Sequence, residues 1–274
     1  MKEAIHMTHR LSFTFKSKVF ALLCLSILIT ACVSHVTELR EAQNQFNLAA
    51  SLENHLQTDI AAGDAIAVSS QVTSSYRQTV KILADLLDSK SQGLQEDNLL
   101  GTAYTLKAYA EWRLGDYQAA ISSSTAALEA KLFPRDLALI TALRGLIKND
   151  QAYFHMQEKD YAYKDIKTLL EEALEDIDKG LATVGKDNRI RTYLLLSELI
   201  VLKNWTDFRG EPRQFAREIP ADFNKQAEIS AWCKSAQPVW AVFQEEVKRL
   251  RPEEAPALIV NWSRKLAISE TCSH

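Results

Sequence analysis

Along the chain the hydrophobic positions recur at the three-to-four-residue step of an amphipathic helix. Ile166, Leu169, Leu170, Ala173, Ile177, Leu181 and Val184 show it most cleanly, and such a stripe buries one helix face. From Thr37 to about Trp205 the same signal repeats, rich in Ala and Leu and without an alternating strand pattern. The run TYLLLSELIVL (192–202) has few polar interruptions, so it predicts a central helix covered on most sides. A different pattern stands at the start, where polar and basic residues 1–18 precede the unbroken, mostly apolar run Val19 to Ile29.

That run is shorter than the roughly 20 apolar residues a membrane-crossing helix needs. Its layout is that of a secretory signal peptide, a basic region, an apolar run and then small residues. The sequence Ile29-Thr30-Ala31-Cys32 resembles the lipobox of bacterial lipoproteins. The resemblance implies cleavage between Ala31 and Cys32, a diacylglyceryl thioether on Cys32, and acyl chains that hold the mature chain at a membrane. Val33 stands where aspartate would favour retention in the inner membrane, which implies sorting to the outer membrane, facing the periplasm. A plain signal peptide, or an uncleaved anchor, with a coincidental cysteine is the alternative.

Glycine is sparse in the helical region and is twice followed by aspartate, at Gly63-Asp64 and Gly115-Asp116. Glycine permits positive φ at a helix end and aspartate caps the next helix, so both dipeptides predict turns between antiparallel helices. Around the second, AYTLKAYAEWRLGDYQAAISSSTAALE (103–129) resembles a tetratricopeptide repeat through Tyr104, Ala108, Leu114, Gly115, Asp116, Tyr117, Ala120, Ala127 and Leu128. Ala108 and Ala120 would let two backbones approach, Tyr117 would pack across the turn, and Leu128 would bury against the next unit. Pro134 lies two places beyond the family's proline, and Lys107 and Ser124 replace large apolar residues. A fainter copy repeats Ala108-Tyr109 and Asp116-Tyr117 as Ala152-Tyr153 and Asp160-Tyr161, and Ala127-Leu128 as Ala173-Leu174. One hairpin cannot bury its own apolar face, so neighbours are required.

Beyond Asp207 the composition shifts, with Pro212, Pro220, Pro238, Pro252, Pro256, Trp232, Trp240 and Trp262 all in the last quarter. Proline cuts helices short, so this region predicts a structured loop (209–223) followed by two or three short helices. The reading is an all-α chain in three parts. Residues 1–31 are a signal peptide, 32–206 are stacked antiparallel hairpins forming a tetratricopeptide-like α-solenoid, and 207–274 are a cap. A non-repetitive helical bundle is the alternative.

Composition narrows the function. Of 274 residues, 24% are charged and the formal net charge is −3, becoming more negative without the basic leader. Nucleic-acid binding would need a clustered basic face. Four cysteines are present; with Cys24 in the leader and Cys32 lipidated, Cys233 and Cys272 remain, as a candidate disulfide in an oxidising compartment or as two unpaired small residues. GLATVGKD (180–187) follows phosphate-loop spacing but ends in Asp187, where a magnesium-binding hydroxyl is required, and it follows a helix. His35, His55, His155 and His274 are scattered, and no HExxH, GxSxG or CxxC occurs, so the sequence predicts no catalytic residue, no metal site and no cofactor. His155 reads as a partly buried packing residue. Glu171, Glu172, Glu175, Asp176 and Asp178 read as a solvated helix face.

The expected function is therefore that of a non-catalytic, lipid-anchored adaptor that recruits a protein partner for envelope assembly, secretion or cell-wall maintenance. The resemblance implies that first-helix residues line the concave surface, which assigns partner binding to Tyr104, Lys107, Glu111 and Trp112, with Trp112 alternatively in the core. The competing expectation is a ligand-binding accessory component of a transport system, similar to the helical subunit of tripartite transporters, with Tyr104, Tyr109, Trp112 and Arg144 around an apolar pocket.

Overall fold

A computed structural model describes residues 35–53, 62–184, 188–210, 212–249 and 272. Among these the chain is all-α. The helices are α1 (35–53), α2 (Ala62–Glu96), α3 (Leu100–Arg113), α4 (Tyr117–Glu129), α5 (Pro134–Glu158), α6 (Tyr163–Thr183), α7 (Asn188–Gly210), α8 (Pro212–Phe215) and α9 (Lys225–Arg249). The chain divides into two compact units between Ala103 and Tyr104.

In the first unit α1 and α2 run antiparallel, as their ordered partners show. His35 pairs with Asp97, Glu38 with Lys90, and Glu53 with Tyr76. The apolar stripes Leu39, Ala42 and Ala49 on α1, and Val72, Tyr76, Leu83, Leu86 and Leu94 on α2, are buried. The backbone of α2 leaves helical geometry at Lys90 (φ −139°). Gly63 and Asp64 are helical, within the first turn of α2, and do not form the turn predicted there; the residues preceding Ala62 are outside the described set.

In the second unit the Gly115-Asp116 turn forms as the sequence predicts. Gly115 has φ +77°, its N–H and that of Asp116 return to the Trp112 and Glu111 carbonyls, and the Asp116 side chain accepts the Ala119 N–H to cap α4. Ala108, Ala120 and Ala127 are fully buried with Ile140, Leu143 and Ile147 of α5, so small residues draw the helices together. The second hairpin, α5 and α6, turns at Lys159 in the left-handed region (φ 57°). Here glycines set the spacing. A Cβ on Gly145 would stand 2.6 Å from the Ala173 carbonyl oxygen, and one on Gly180 would stand 2.9 Å from that of Ala138.

Helix α7 is the central helix the apolar run predicts. Leu194 and Val201 face the core shared with α5 and α6, and Leu195, Leu199 and Leu202 face α9. The 206/207 boundary falls inside it, because α7 continues to Gly210. The cap also differs from expectation. Among the described residues of the cap, α9 is one 25-residue helix with Pro238 inside it, longer than the short helices expected there, while 250–271 lie outside the described residues. Pro238 is exposed, so the carbonyl that loses its helical partner can be hydrated and the interruption is tolerated. Trp232 is buried and its indole N–H donates to the Leu202 carbonyl at 2.6 Å, so it packs as a core residue. The loop before α9 is ordered by a lone parallel pairing with the α5–α6 turn, Tyr163 N–H to the Arg217 carbonyl and Arg217 N–H to the Tyr161 carbonyl.

Candidate partner-binding face

Two of the residues assigned to a partner surface turn inward. Glu111 is 4% exposed. It takes the Lys107 ammonium on Oε1 and the Ser123 hydroxyl on Oε2 at 2.6 Å, while Lys107 also donates to Ser123 at 3.0 Å. The three groups form a clasp between α3 and α4, because a carboxylate taken out of water needs its lone pairs filled. Lys107 and Glu111 are therefore packed within the hairpin and are not presented on an open groove. Tyr104 is half-buried against the Ala108 and Ala120 core.

Trp112 occupies the middle ground. Its ring packs against both hairpin cores, its indole N–H donates to Asp150 Oδ2 at 2.8 Å, and the Arg113 guanidinium lies 5.5 Å above it. Burial raises the Asp150 carboxyl above its ordinary range, partly offset by the Trp112 and Asn149 hydrogen bonds and the Arg113 charge. Asn149, almost fully buried, donates to Asp150 and accepts from Asn204 of α7 at 3.0 Å. Tyr109, 6.3 Å from Trp112 between ring centres, is held neutral, with burial first and the Tyr193 charge second pushing its hydroxyl up to about 12. The group ties α3, α5 and α7 together through polar contacts.

Next to Asp150 on α5 the surface becomes aromatic. Tyr153 is 49% exposed and Phe154 is 45% exposed. Phe154 lies 6.0 Å from Tyr117 and 6.3 Å from His155, and His155 stacks on Tyr161 at 3.5 Å with the rings within 6° of parallel. Burial holds His155 below its usual value, against the pull of Asp165, so the ring is neutral at physiological pH and adds to an apolar surface. Tyr117 starts α4 and Tyr161 lies in the α5–α6 turn, so the patch joins the turn ends of both hairpins. The faint echo of Asp116-Tyr117 in Asp160-Tyr161 was the sequence's only pointer to it.

Arg144 is held in an ion cluster between α5 and α6. Its guanidinium makes a two-pronged bond to Asp176, at 2.8 and 2.5 Å, and Lys148 adds 2.9 Å to the same carboxylate and 3.0 Å to Glu172. Burial pushes the Asp176 carboxyl up, but the hydrogen bonds and charges of Arg144 and Lys148 outweigh it and hold the group below its ordinary value. The acidic run on α6 is thus divided. Glu171, Glu172 and Glu175 are exposed as expected, while Asp176 is 2% exposed and binds α6 to α5.

A further acidic group escaped the sequence reading. Glu198, the one charge inside TYLLLSELIVL, is buried on α7. Burial, then the Asp178 charge, raises its carboxyl to about 7, with Arg191 opposing. Arg191 also lies 3.5 Å from Glu246 of α9, whose Oε2 is buried without a hydrogen-bond partner. A lone charge in so apolar a run was the available signal.

Two surface cavities have other linings. One of 390 Å³ is lined by Pro212, Arg213, Ile219, Pro220, Ala221, Phe223 and Lys225, and one of 230 Å³ lies along Trp240, Phe243 and Val247. Among the described residues no group of three or more His, Cys, Asp or Glu side chains is placed to hold a metal ion, and no helix is long and apolar enough to cross a membrane. Gly180 to Thr183 are helical, which denies the phosphate-loop spacing its loop; Gly185 to Asp187 lie outside the described residues, as do Ala31 and Cys32. Cys233 and Cys272 are bonded, with Cα atoms 5.6 Å apart. No protein-family model, no curated protein and no solved structure matches the chain.

Proposed function

We propose that the protein is a non-catalytic adaptor, lipid-anchored through Cys32 at the outer membrane and facing the periplasm, which binds an envelope protein. In this reading α3/α4 and α5/α6 are tetratricopeptide-like hairpins stacked as a short solenoid. The observation that carries it is the aromatic patch of Tyr117, Phe154, His155 and Tyr161, apolar and partly exposed at the turn ends of both hairpins. Contiguous exposed aromatic surface marks protein-binding sites more often than it marks solvent-facing surface. The inward-facing ion clusters on α3, α5 and α6 serve as struts that keep the patch rigid.

The test is crosslinking in intact cells, purification of the lipidated chain and mass spectrometry, beside a Cys32→Ala version. An envelope protein recovered with the lipidated chain supports the adaptor and identifies its pathway. The 390 Å³ cavity with Arg213 and Lys225 at its wall favours a second reading, a ligand-binding accessory component of a transport system, since such pockets usually fall between about 300 and 1,000 Å³. A small molecule retained on the purified chain, with no protein recovered from cells, would support that reading instead.

A further inference from the structure

In the first unit His35, the first described residue of α1, is locked in place. His35 is 8% exposed, its Nε2 lies 2.8 Å from Asp97 Oδ2, and its ring lies flush on α2, where a Cβ on Gly93 would meet it at 3.3 Å. One turn later Lys90 holds Glu38 at 2.5 Å. Residue 35 is thus fixed against the C-terminal end of α2, beside the tight turn in which Asn98 adopts φ 58° and the Leu99 N–H returns to the Leu94 carbonyl. Only three peptide steps separate Cys32 from His35, a reach of about 11 Å at full extension.

We propose that the tip of the first unit formed by Gln95, Glu96, Asp97 and Asn98 stands at the headgroup surface of the bilayer that holds Cys32, so that the anchor mounts this unit directly, without a free tether. The inference rests on the lipoprotein reading of Cys32 and adds to it the membrane-facing end of the unit. All four tip residues are exposed. Glu96 and Asp97 close the negative end of the α2 dipole, so the compatible surface is zwitterionic, and anionic headgroups would be repelled. The opposite end of α1 carries Ser51, also exposed and about 24 Å away along the helix.

The experiment uses the full lipidated chain in zwitterionic phosphatidylcholine vesicles that contain lipids bearing a headgroup quencher. Asn98→Cys or Ser51→Cys carries a fluorophore; Cys233 and Cys272 are bonded, so the introduced thiol is labelled selectively. The expected result is quenching several-fold stronger at position 98 than at 51. A flexible Gly/Ser insertion between Ser34 and His35 should remove the difference, as should replacing Gly93 by a bulky residue that displaces the His35 ring. Equal quenching at 98 and 51 in the lipidated chain overturns the mount while leaving the anchor intact. Intact mass measurement that finds no acyl chains on Cys32 removes both the mount and the reading beneath it.

Discussion

Replacing Glu198 by Gln should stabilise the protein at neutral and alkaline pH and leave it nearly unchanged in acid. Glu198 is buried on α7, and its carboxyl is raised from 4.5 to about 7, by burial first and the Asp178 charge second. An acid whose folded pKa is raised favours its neutral form in the folded state. Below the unfolded value both states are neutral and the group costs nothing. As pH rises from 4.5 toward 7 the unfolded chain ionises while the folded one does not, so stability is lost across that window and the loss is constant above it. A shift of this size corresponds to roughly 3 kcal/mol, which the amide, unable to ionise, would return at about pH 8. Urea unfolding followed by far-UV circular dichroism, on both proteins from pH 4.5 to 8.5, gives the difference curve; the titration of Asp176 and other carboxylates common to both cancels in it. The curve should be near zero at the acid end and climb through the window. A flat difference, or a variant less stable than the parent at about pH 8, would refute the reasoning. Asp178→Asn, which removes the neighbouring charge, should move the window toward lower pH.

Gly145→Ala forces a Cβ to 2.6 Å from the Ala173 carbonyl, and because the obstacle is backbone, α5 and α6 must part; a loss of about 1–3 kcal/mol is expected in urea unfolding. Trp112→Phe keeps the ring but leaves Asp150 Oδ2 without its indole donor, a loss of about 1–3 kcal/mol that a simultaneous Asp150→Leu exchange should reduce in a double-mutant cycle. Reducing the Cys233–Cys272 bond, which closes a separation of 39 residues, should lower stability by about 4 kcal/mol in the chain-entropy account, read as a lower melting temperature in dithiothreitol. A Cys233→Ala, Cys272→Ala protein should melt at that lower temperature with or without reductant.

Much of the fold was legible because local signals agreed with one another. The stripe on α6, the Gly115-Asp116 turn and the small residues Ala108 and Ala120 each specify an element or a close crossing without long-range information. The α9 helix was not legible, since a proline's effect depends on whether the carbonyl it deprives faces water, and Pro238 is exposed only because α7 covers the other face of α9. The same limit applies to charge. Glu111 and Asp176 read as surface-facing in sequence and Glu198 drew no reading, yet each is buried beside a neighbour from another helix. Helical spacing gives the face a residue occupies, but not which faces meet. The aromatic patch was hidden for that reason too, since Tyr117 and Phe154 are 37 positions apart in the chain and come together only when the hairpins pack.

The most direct test of the adaptor account is a photo-crosslinking amino acid placed at Phe154 in the full chain, in living cells, with Glu175 on the exposed face of α6 as the control position. The account predicts a discrete crosslink from position 154 to an envelope protein, absent from position 175 and lost when Cys32→Ala releases the chain from the membrane. No crosslink from 154, or the same products from both positions, would contradict it.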